Sequence, residues 1–324
     1  MPGRYPIFDR SRLRVLPLDS REHLVTIGDV LDVGTSDGPY QHDDLPALAD
    51  AVVRARRSGS AVILMMGAHV IKQGLSRYVI ELIRRGWVSL VATNGACVIH
   101  DWELARIGAT SESVPKYITD GRFGLWSETG EINDVVNLAA RDDLGFGEAV
   151  GRYVAESDWP HKDVSIFAAA WEAGVPATVH VGIGYDILHE HPNFDAAAAG
   201  KCSGRDFLVF AGEVEKLEGG VVLCYGSAVM GPEVYLKALS MARNVAAQKG
   251  ESISRITSAV FDLVRLSGDL TAEAPKDTPE YYYRPYKTVL VRTVRDGGRG
   301  LYFRGDHRLT LPALHAELDA RSRD

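Results

Sequence analysis

Lys287 follows the aromatic run Tyr281-Tyr282-Tyr283-Arg284-Pro285-Tyr286 and precedes an apolar, β-like stretch, Thr288-Val289-Leu290-Val291. An amine held against aromatic rings at the mouth of a strand is partly desolvated. Desolvation favours the neutral form, which attacks an imine or carbonyl carbon. The plainer reading is a solvated edge-strand lysine, so its chemistry depends on what else the chain brings to it. Two carboxylates are candidates to receive a cationic group: Asp262, which closes an apolar run, and Glu280, seven residues before Lys287; Tyr286 is a candidate wall for the same substrate. Asp186, just after Gly182-Ile183-Gly184, reads equally as a binding carboxylate or as a turn and capping residue. His69 and His100 each follow an apolar run, where an imidazole can do acid–base work or merely satisfy local backbone groups.

Other constellations carry less. His189-Glu190-His191 places its imidazoles at i and i+2, a spacing that does not converge on a metal as i, i+4 helix ligands do, and it reads as a polar loop; no metal is expected. Cys97, Cys202 and Cys224 form neither a CxxC pair nor an even set, so reduced thiols are expected. A net charge of −7 with no basic stripe argues against nucleic acid as a partner. The first residues lack an apolar signal core and no run approaches membrane-spanning length, so the expectation is a cytoplasmic protein without membrane association.

The elements that must position these residues repeat one theme, an apolar run ending in small residues and then a helical pattern. Ala61 to Met66 ends in Gly67-Ala68-His69, and Leu75, Tyr78, Val79, Leu82 and Ile83 then share a helix face that Gly86 terminates. Trp87 to Ala92 ends in Thr93-Asn94-Gly95. Asp163 is placed to cap a helix through Trp171, and the strand from Ala177 to Val181 ends in Gly182. Val221 to Cys224 leads into Gly226-Ser227, with Pro232 in the first turn of the next helix. Strands alternating with helices imply an α/β fold, a doubly wound and mainly parallel Rossmann-like sheet with helices on both faces. Such sheets bind ligands at the carboxyl ends of their strands. Gly67, Ala68, Thr93, Asn94, Gly95, Gly182, Gly226 and Ser227 are therefore candidate dinucleotide contacts, although neither glycine pattern completes a known fingerprint. Residues 1–44 read as an N-terminal extension and 45–324 as the domain that carries this sheet. The polar, proline-bearing stretch 267–279 reads as a loop over the site or a solvated linker.

In order along the chain, several blocks resemble the deoxyhypusine synthases and their relative homospermidine synthase. Gly74-Leu75-Ser76-Arg77-Tyr78-Val79-Ile80 is similar to the family's Ser-Gly-(Ile/Met)-Arg-x-x-Ile segment, and Thr93-Asn94-Gly95-Ala96 stands where it has Thr-x-Ala-Gly. Ala259-Val260-Phe261-Asp262 resembles its strand ending in Glu-Phe-Asp. Tyr286-Lys287-Thr288-Val289 occupies the place of Trp-Gly-Lys-(Ile/Val), whose lysine carries a covalent intermediate. Gly305-Asp306-His307-Arg308-Leu309 looks like Ala-Asp-Ala-(Ser/Thr)-Leu, in which the Asp contacts the NAD adenosine. The resemblance implies an NAD-dependent homotetramer that oxidises an amine-bearing, polyamine-like small molecule to an imine, transfers it to Lys287 and passes the group to an acceptor amine. Asp186 then falls close to a position the family turns toward its amine substrate.

The chain also departs from the family. Two acidic residues after the threonine turn are Ile99 and His100 here, and the family's Gly-Gly-Gly-Val-Val-Lys-His-His is Gly226-Ser227-Ala228-Val229-Met230-Gly231, without the catalytic histidine. These losses leave two further readings open, an NAD-dependent lyase or hydrolase and a non-catalytic NAD-binding regulator.

Overall fold

The computed structural model describes residues 4–322. Its strands are β1 (Val25–Thr26), β2 (Val62–Met66), β3 (Leu90–Thr93), β4 (Ala109–Thr110), β5 (Ala177–Val179), β6 (Val221–Tyr225), β7 (Thr257–Asp262) and β8 (Arg299–Arg304). β1 and β4 form a short antiparallel pair. The other six form one parallel sheet in the order β5-β3-β2-β6-β7-β8. Counted along the chain, these six strands lie in the order third, second, first, fourth, fifth, sixth. That is the doubly wound arrangement, with its topological switch between β2 and β6.

Both faces of the sheet are covered, which is why the central strands read as unbroken apolar runs. Val62, Leu64 and Met66 point into one core with Val221, Leu223, Tyr225 and Phe261, under helices that include Leu45–Arg57, Ser76–Arg84, Gly95–Ile107 and His307–Ser322. Ile63, Met65, Val222, Cys224 and Val260 point into the other, under Met230–Gln248, the end of Ala196–Val214 and the π-helix Pro285–Arg292. Each fully buried aliphatic side chain here stabilises the fold by roughly 1.5–3 kcal/mol.

The N-terminal segment runs over the first half of this body. Leu16 N–H donates to the Leu125 carbonyl, β1 pairs with β4, and Arg77 donates to the Val30 carbonyl. No helix of the described residues is long and apolar enough to cross a membrane.

Three local expectations change. The stretch expected to be β-like after Lys287 is helical: Pro285 sits in the first turn and Tyr286, Val289 and Leu290 meet the core at helical spacing. A short apolar run fits either period, and here β8, immediately downstream, takes the edge of the sheet. Ser165, not Asp163, caps the helix Ile166–Ala173 by accepting from Ala168 N–H, and Asp163 lies in a preceding 3-10 turn. The strands expected from Trp87 and through Val181 are shorter, Leu90–Thr93 and Ala177–Val179, set by the register of their neighbours.

Candidate functional site

At the switch point the turns after β2 and β6 pack directly on each other. A Cβ on Gly67 would collide with the Gly226 carbonyl oxygen, so the close approach requires glycine. Ser227 is buried and its hydroxyl accepts from Gly231 N–H at 2.9 Å, bracing the start of the helix Met230–Gln248. Ala68 is half-buried and His69 exposed at the lip. The segment after β8 reaches back over this point: Asp306 accepts from Gln73 Nε2 at 3.1 Å and from Arg308 N–H at 2.8 Å, and the buried His307 ring packs edge-on to Tyr225. Two buried polar atoms here, His307 Nδ1 and Gln73 Oε1, have no hydrogen-bond partner. Orphaned buried groups at the carboxyl ends of the switch-point strands fit a polar ligand such as a dinucleotide.

One strand away, a cavity of about 230 Å³ opens between the ends of β3 and β5, lined among others by Lys72, His100, Ser111, Glu112, Tyr185 and Asp186. His100 comes from the helix Gly95–Ile107, whose N-cap is Asn94, accepting from Cys97 N–H. Its Nδ1 lies 2.8 Å from Thr110 Oγ1, and that hydroxyl donates to Glu103 Oε2 at 2.7 Å. Glu103 is fully buried and receives Arg21 through both oxygens, at 3.0 and 2.6 Å, and the Thr129 hydroxyl. Burial alone would raise its pKa, but the Arg21 charge and hydrogen bonds outweigh that and hold the carboxyl below its ordinary value. Burial lowers the His100 pKa to about 4, opposed by Glu103 and assisted by Lys72, Arg21 and His69, so the ring is neutral at pH 7.

Asp186 stands on the opposite wall. Its carboxylate fills the space where a Cβ on Gly95 would sit, and burial raises its pKa to about 6, opposed by a hydrogen bond from Ala96 N–H. Ser111 is buried with φ 64°, a left-handed conformation costly for serine, and its hydroxyl has no hydrogen-bond partner. Burial also raises the Glu112 pKa. Lys72 is exposed at the rim and makes no ion pair among the described residues. The cavity thus presents a neutral imidazole, a carboxyl that titrates near pH 6 and an unsatisfied hydroxyl to one small volume.

Lys287 lies elsewhere, on the opposite face of the sheet from the main helical layer. The side chain is buried, and Nζ sits 3.2 Å from the Tyr281 ring centroid, a cation–π contact. No hydrogen bond or ion pair connects it to the His100 cavity among the described residues. Asp262 accepts from Tyr283 Oη at 2.6 Å and from Leu263 N–H at 2.7 Å, while Tyr286 Oη donates to the carbonyls of Asp269 and Ala272. The stretch 267–279 accordingly packs on Tyr286 and Arg292. Glu280, half-buried, borders a separate cavity of about 310 Å³ with Tyr286 and residues of that stretch. Thr93 donates to the Thr178 carbonyl inside the sheet, and Gly182 opens the turn closed by Tyr185 N–H. In the His-Glu-His loop, His189 Nδ1 accepts from Gly184 and Asp186 N–H, and His191 Nε2 meets the Gly124 carbonyl. No group of metal-ligating residues occurs among the described residues.

The groups that complete the His100 cavity, Arg21, Glu103, Thr110 and Ser111, were not singled out from sequence. The signal for Glu103 is its place between Trp102 and Leu104, a carboxylate on a helix most of whose residues are buried, and Asp101 on the same helix carries the same signal.

No family model and no curated relative matches the chain. Among solved structures, AgrE in ternary complex with ornithine and NAD+ is similar over 86% of this chain and 33% of its own length, at 16% identity and a TM-score of 0.51. A conserved putative LOR/SDH protein from Methanococcus maripaludis S2 is similar over 90% of this chain and 74% of its own, at 14% identity and a TM-score of 0.50. A putative deoxyhypusine synthase from Entamoeba histolytica aligns over 87% of this chain at 8% identity and a TM-score of 0.41, too slight to carry an argument. The first two likenesses establish the fold, a Rossmann-like α/β body. This chain spans about a third of AgrE's length.

Proposed function

We propose that this chain is an NAD-dependent enzyme acting on a small amine-bearing molecule, with the dinucleotide across the switch point and the amine in the His100 cavity. The observation that carries the reading is the juxtaposition itself: a doubly wound switch point with orphaned polar atoms, and a titratable cavity one strand away. AgrE, which shares the fold, was solved with ornithine and NAD+. Gly67, Ala68, Gly226 and Ser227 would hold the dinucleotide, with Gln73, His307 and Asp306 at its polar edge. NAD supplies a hydride acceptor when bound. Asp186 and Glu112 draw an ammonium group into the cavity, and Ser111 offers it a hydroxyl. Calorimetry with NAD tests the cofactor. Binding that weakens in Asp306→Ala supports the reading, and no binding to the wild type at millimolar NAD removes it.

A second reading is a transferase, in which Lys287 Nζ attacks the imine carbon of the oxidised substrate, expels the substrate nitrogen as an amine and holds the group as a lysine-linked imine. What favours it is that the buried Lys287 makes no ion pair among the described residues and is covered by the Tyr281 ring. Within one chain nothing links it to the cavity, so this reading needs a segment movement or a second copy, as a homotetramer would supply. Borohydride reduction with NAD and candidate diamines, followed by peptide mass spectrometry, decides it: an adduct on Lys287 supports transfer, and turnover undiminished in Lys287→Ala ends it. Light scattering that finds a monomer ends the homotetramer.

A further inference from the structure

We propose that His100 is the hydrogen-bond acceptor that receives a substrate ammonium in the cavity between β3 and β5, that Nε2 is its accepting atom, and that Thr110, Glu103 and Arg21 are positioning residues that fix it in that state. The proposal rests on the reading of this cavity as the amine site, but its geometry can be tested without turnover.

Glu103 is held as a carboxylate by Arg21, so both its oxygens only accept. The contact between Thr110 Oγ1 and Glu103 Oε2, at 2.7 Å, therefore uses the single hydroxyl proton of Thr110. That leaves Thr110 only lone pairs to offer His100 Nδ1 at 2.8 Å, so Nδ1 must carry a proton and donate. In a neutral ring the other nitrogen, Nε2, then holds the free lone pair. His100 lines the cavity, and no hydrogen bond of Nε2 occurs among the described residues. The arrangement shares the orienting logic of nucleophilic triads, with a threonine hydroxyl relaying the carboxylate to the ring and so fixing its tautomer.

This state suits an amine substrate. The lone pair on Nε2 accepts a hydrogen bond from a substrate ammonium N–H, and the ring, whose charged form burial disfavours, stays neutral as it does so. The charged and titratable groups facing the ring are Glu103 on its own helix, Lys72 and His69 on the segment after β2, Arg21 from the N-terminal segment, and Asp186 and Glu112 across the cavity. Arg21 makes the N-terminal segment part of the site, since it is this segment that keeps Glu103 ionised.

The test is nitrogen NMR of the full chain labelled at histidine, with His100 assigned by the resonance lost in His100→Asn. The expected wild-type result at pH 7 is a neutral ring with the proton on Nδ1. Thr110→Val removes the acceptor and should move the ring toward the Nε2-protonated form by about tenfold in population, the shift one hydrogen bond can hold, and Thr110→Ser should restore it. Diethyl pyrocarbonate gives a second readout that needs no variant to survive unchanged. It acylates an unprotonated ring nitrogen, so peptide mapping should find His100 modified in wild type and Thr110→Ser, and correspondingly less in Thr110→Val. A wild-type ring protonated on Nε2, or on both nitrogens at pH 7, overturns the proposal. So does a Thr110→Val protein with unchanged tautomer and acylation. Failure of NAD to bind would remove the proposed function while leaving these readouts intact, so the two ideas fail separately.

Discussion

The His100 cavity and the Lys287 segment both bury a titratable side chain among aromatic and charged neighbours, but they hold it by different means. His100 is the outer member of a chain of hydrogen bonds that runs inward through Thr110 to a doubly bonded Arg21–Glu103 pair at the core. Lys287 rests on one aromatic ring, within a π-helix whose side chains mostly serve the core. Burial alone therefore does not single out a reactive group. What separates the two is whether the surroundings fix a protonation state and an orientation, and only the first region does so within a single chain.

The comparison can be broken most forcefully through stability. Arg21→Met should cost about 3–5 kcal/mol, because it strands the Glu103 carboxylate without its cation in a site closed to water. Lys287→Met should cost about 0.5–2 kcal/mol, the range of one desolvated cation–π contact, with its alkyl stem largely replaced. Urea unfolding of both variants measures the difference. Equal losses would mean that the buried ion pair is not the keystone of the first region.

A smaller effect separates the regions by pH. Burial lifts the Asp186 pKa from 3.8 to about 6, so the folded state holds this proton more tightly than the unfolded chain does. Its contribution to stability is therefore fully present below about pH 4 and is lost as pH rises through 6. Two pH units of preferential proton binding correspond to roughly 3 kcal/mol at most. Asp186→Asn should flatten the stability profile between pH 4 and 6, measured as the urea midpoint at each pH. A variant that keeps the wild-type slope would assign that slope to other buried carboxyls such as Asp206, whose pKa burial raises to about 7.

The sequence made the sheet legible because β2, β3 and β6 are buried on both faces and run into small residues, which leaves unbroken apolar runs with clear ends. It misled at Thr288 to Val291, where four apolar or β-branched residues satisfy a strand and a helix equally and the competing strand lies downstream. Gly67 and Gly226 were legible as strand-end turns, and the sheet order puts them together at the switch. His100 was legible as a residue type in a suggestive place. Its relay was not: Arg21, Thr110 and Glu103 lie far apart or on different elements, and only tertiary folding brings an N-terminal arginine to a helix carboxylate. Asp186 and Gly95 show the same limit, since their contact depends on the loop after β5 folding back over the helix that follows β3.

The smallest effect concerns the ring that covers Lys287. The Tyr281 phenol is held below its usual pKa of 10, first by the adjoining Lys287 ammonium and then, against slight desolvation, by the charges of Lys276 and Arg292. Lys287→Met removes the largest of these influences and leaves the distant cations, so the phenol should titrate at higher pH than in the wild type. Tyr281 is only half-buried, so its phenol can titrate and report the contact. Ring-carbon NMR of labelled tyrosine, with Tyr281 assigned by Tyr281→Phe, follows this one phenol among its neighbours. An upward shift in Lys287→Met places the ammonium against the ring in solution. An unchanged Tyr281 titration would mean that the amine is free to leave the ring, and a mobile, unpaired amine is what an imine relay to a substrate requires. The outcome thus bears on whether the second region is a structural contact or a nucleophile waiting for its partner.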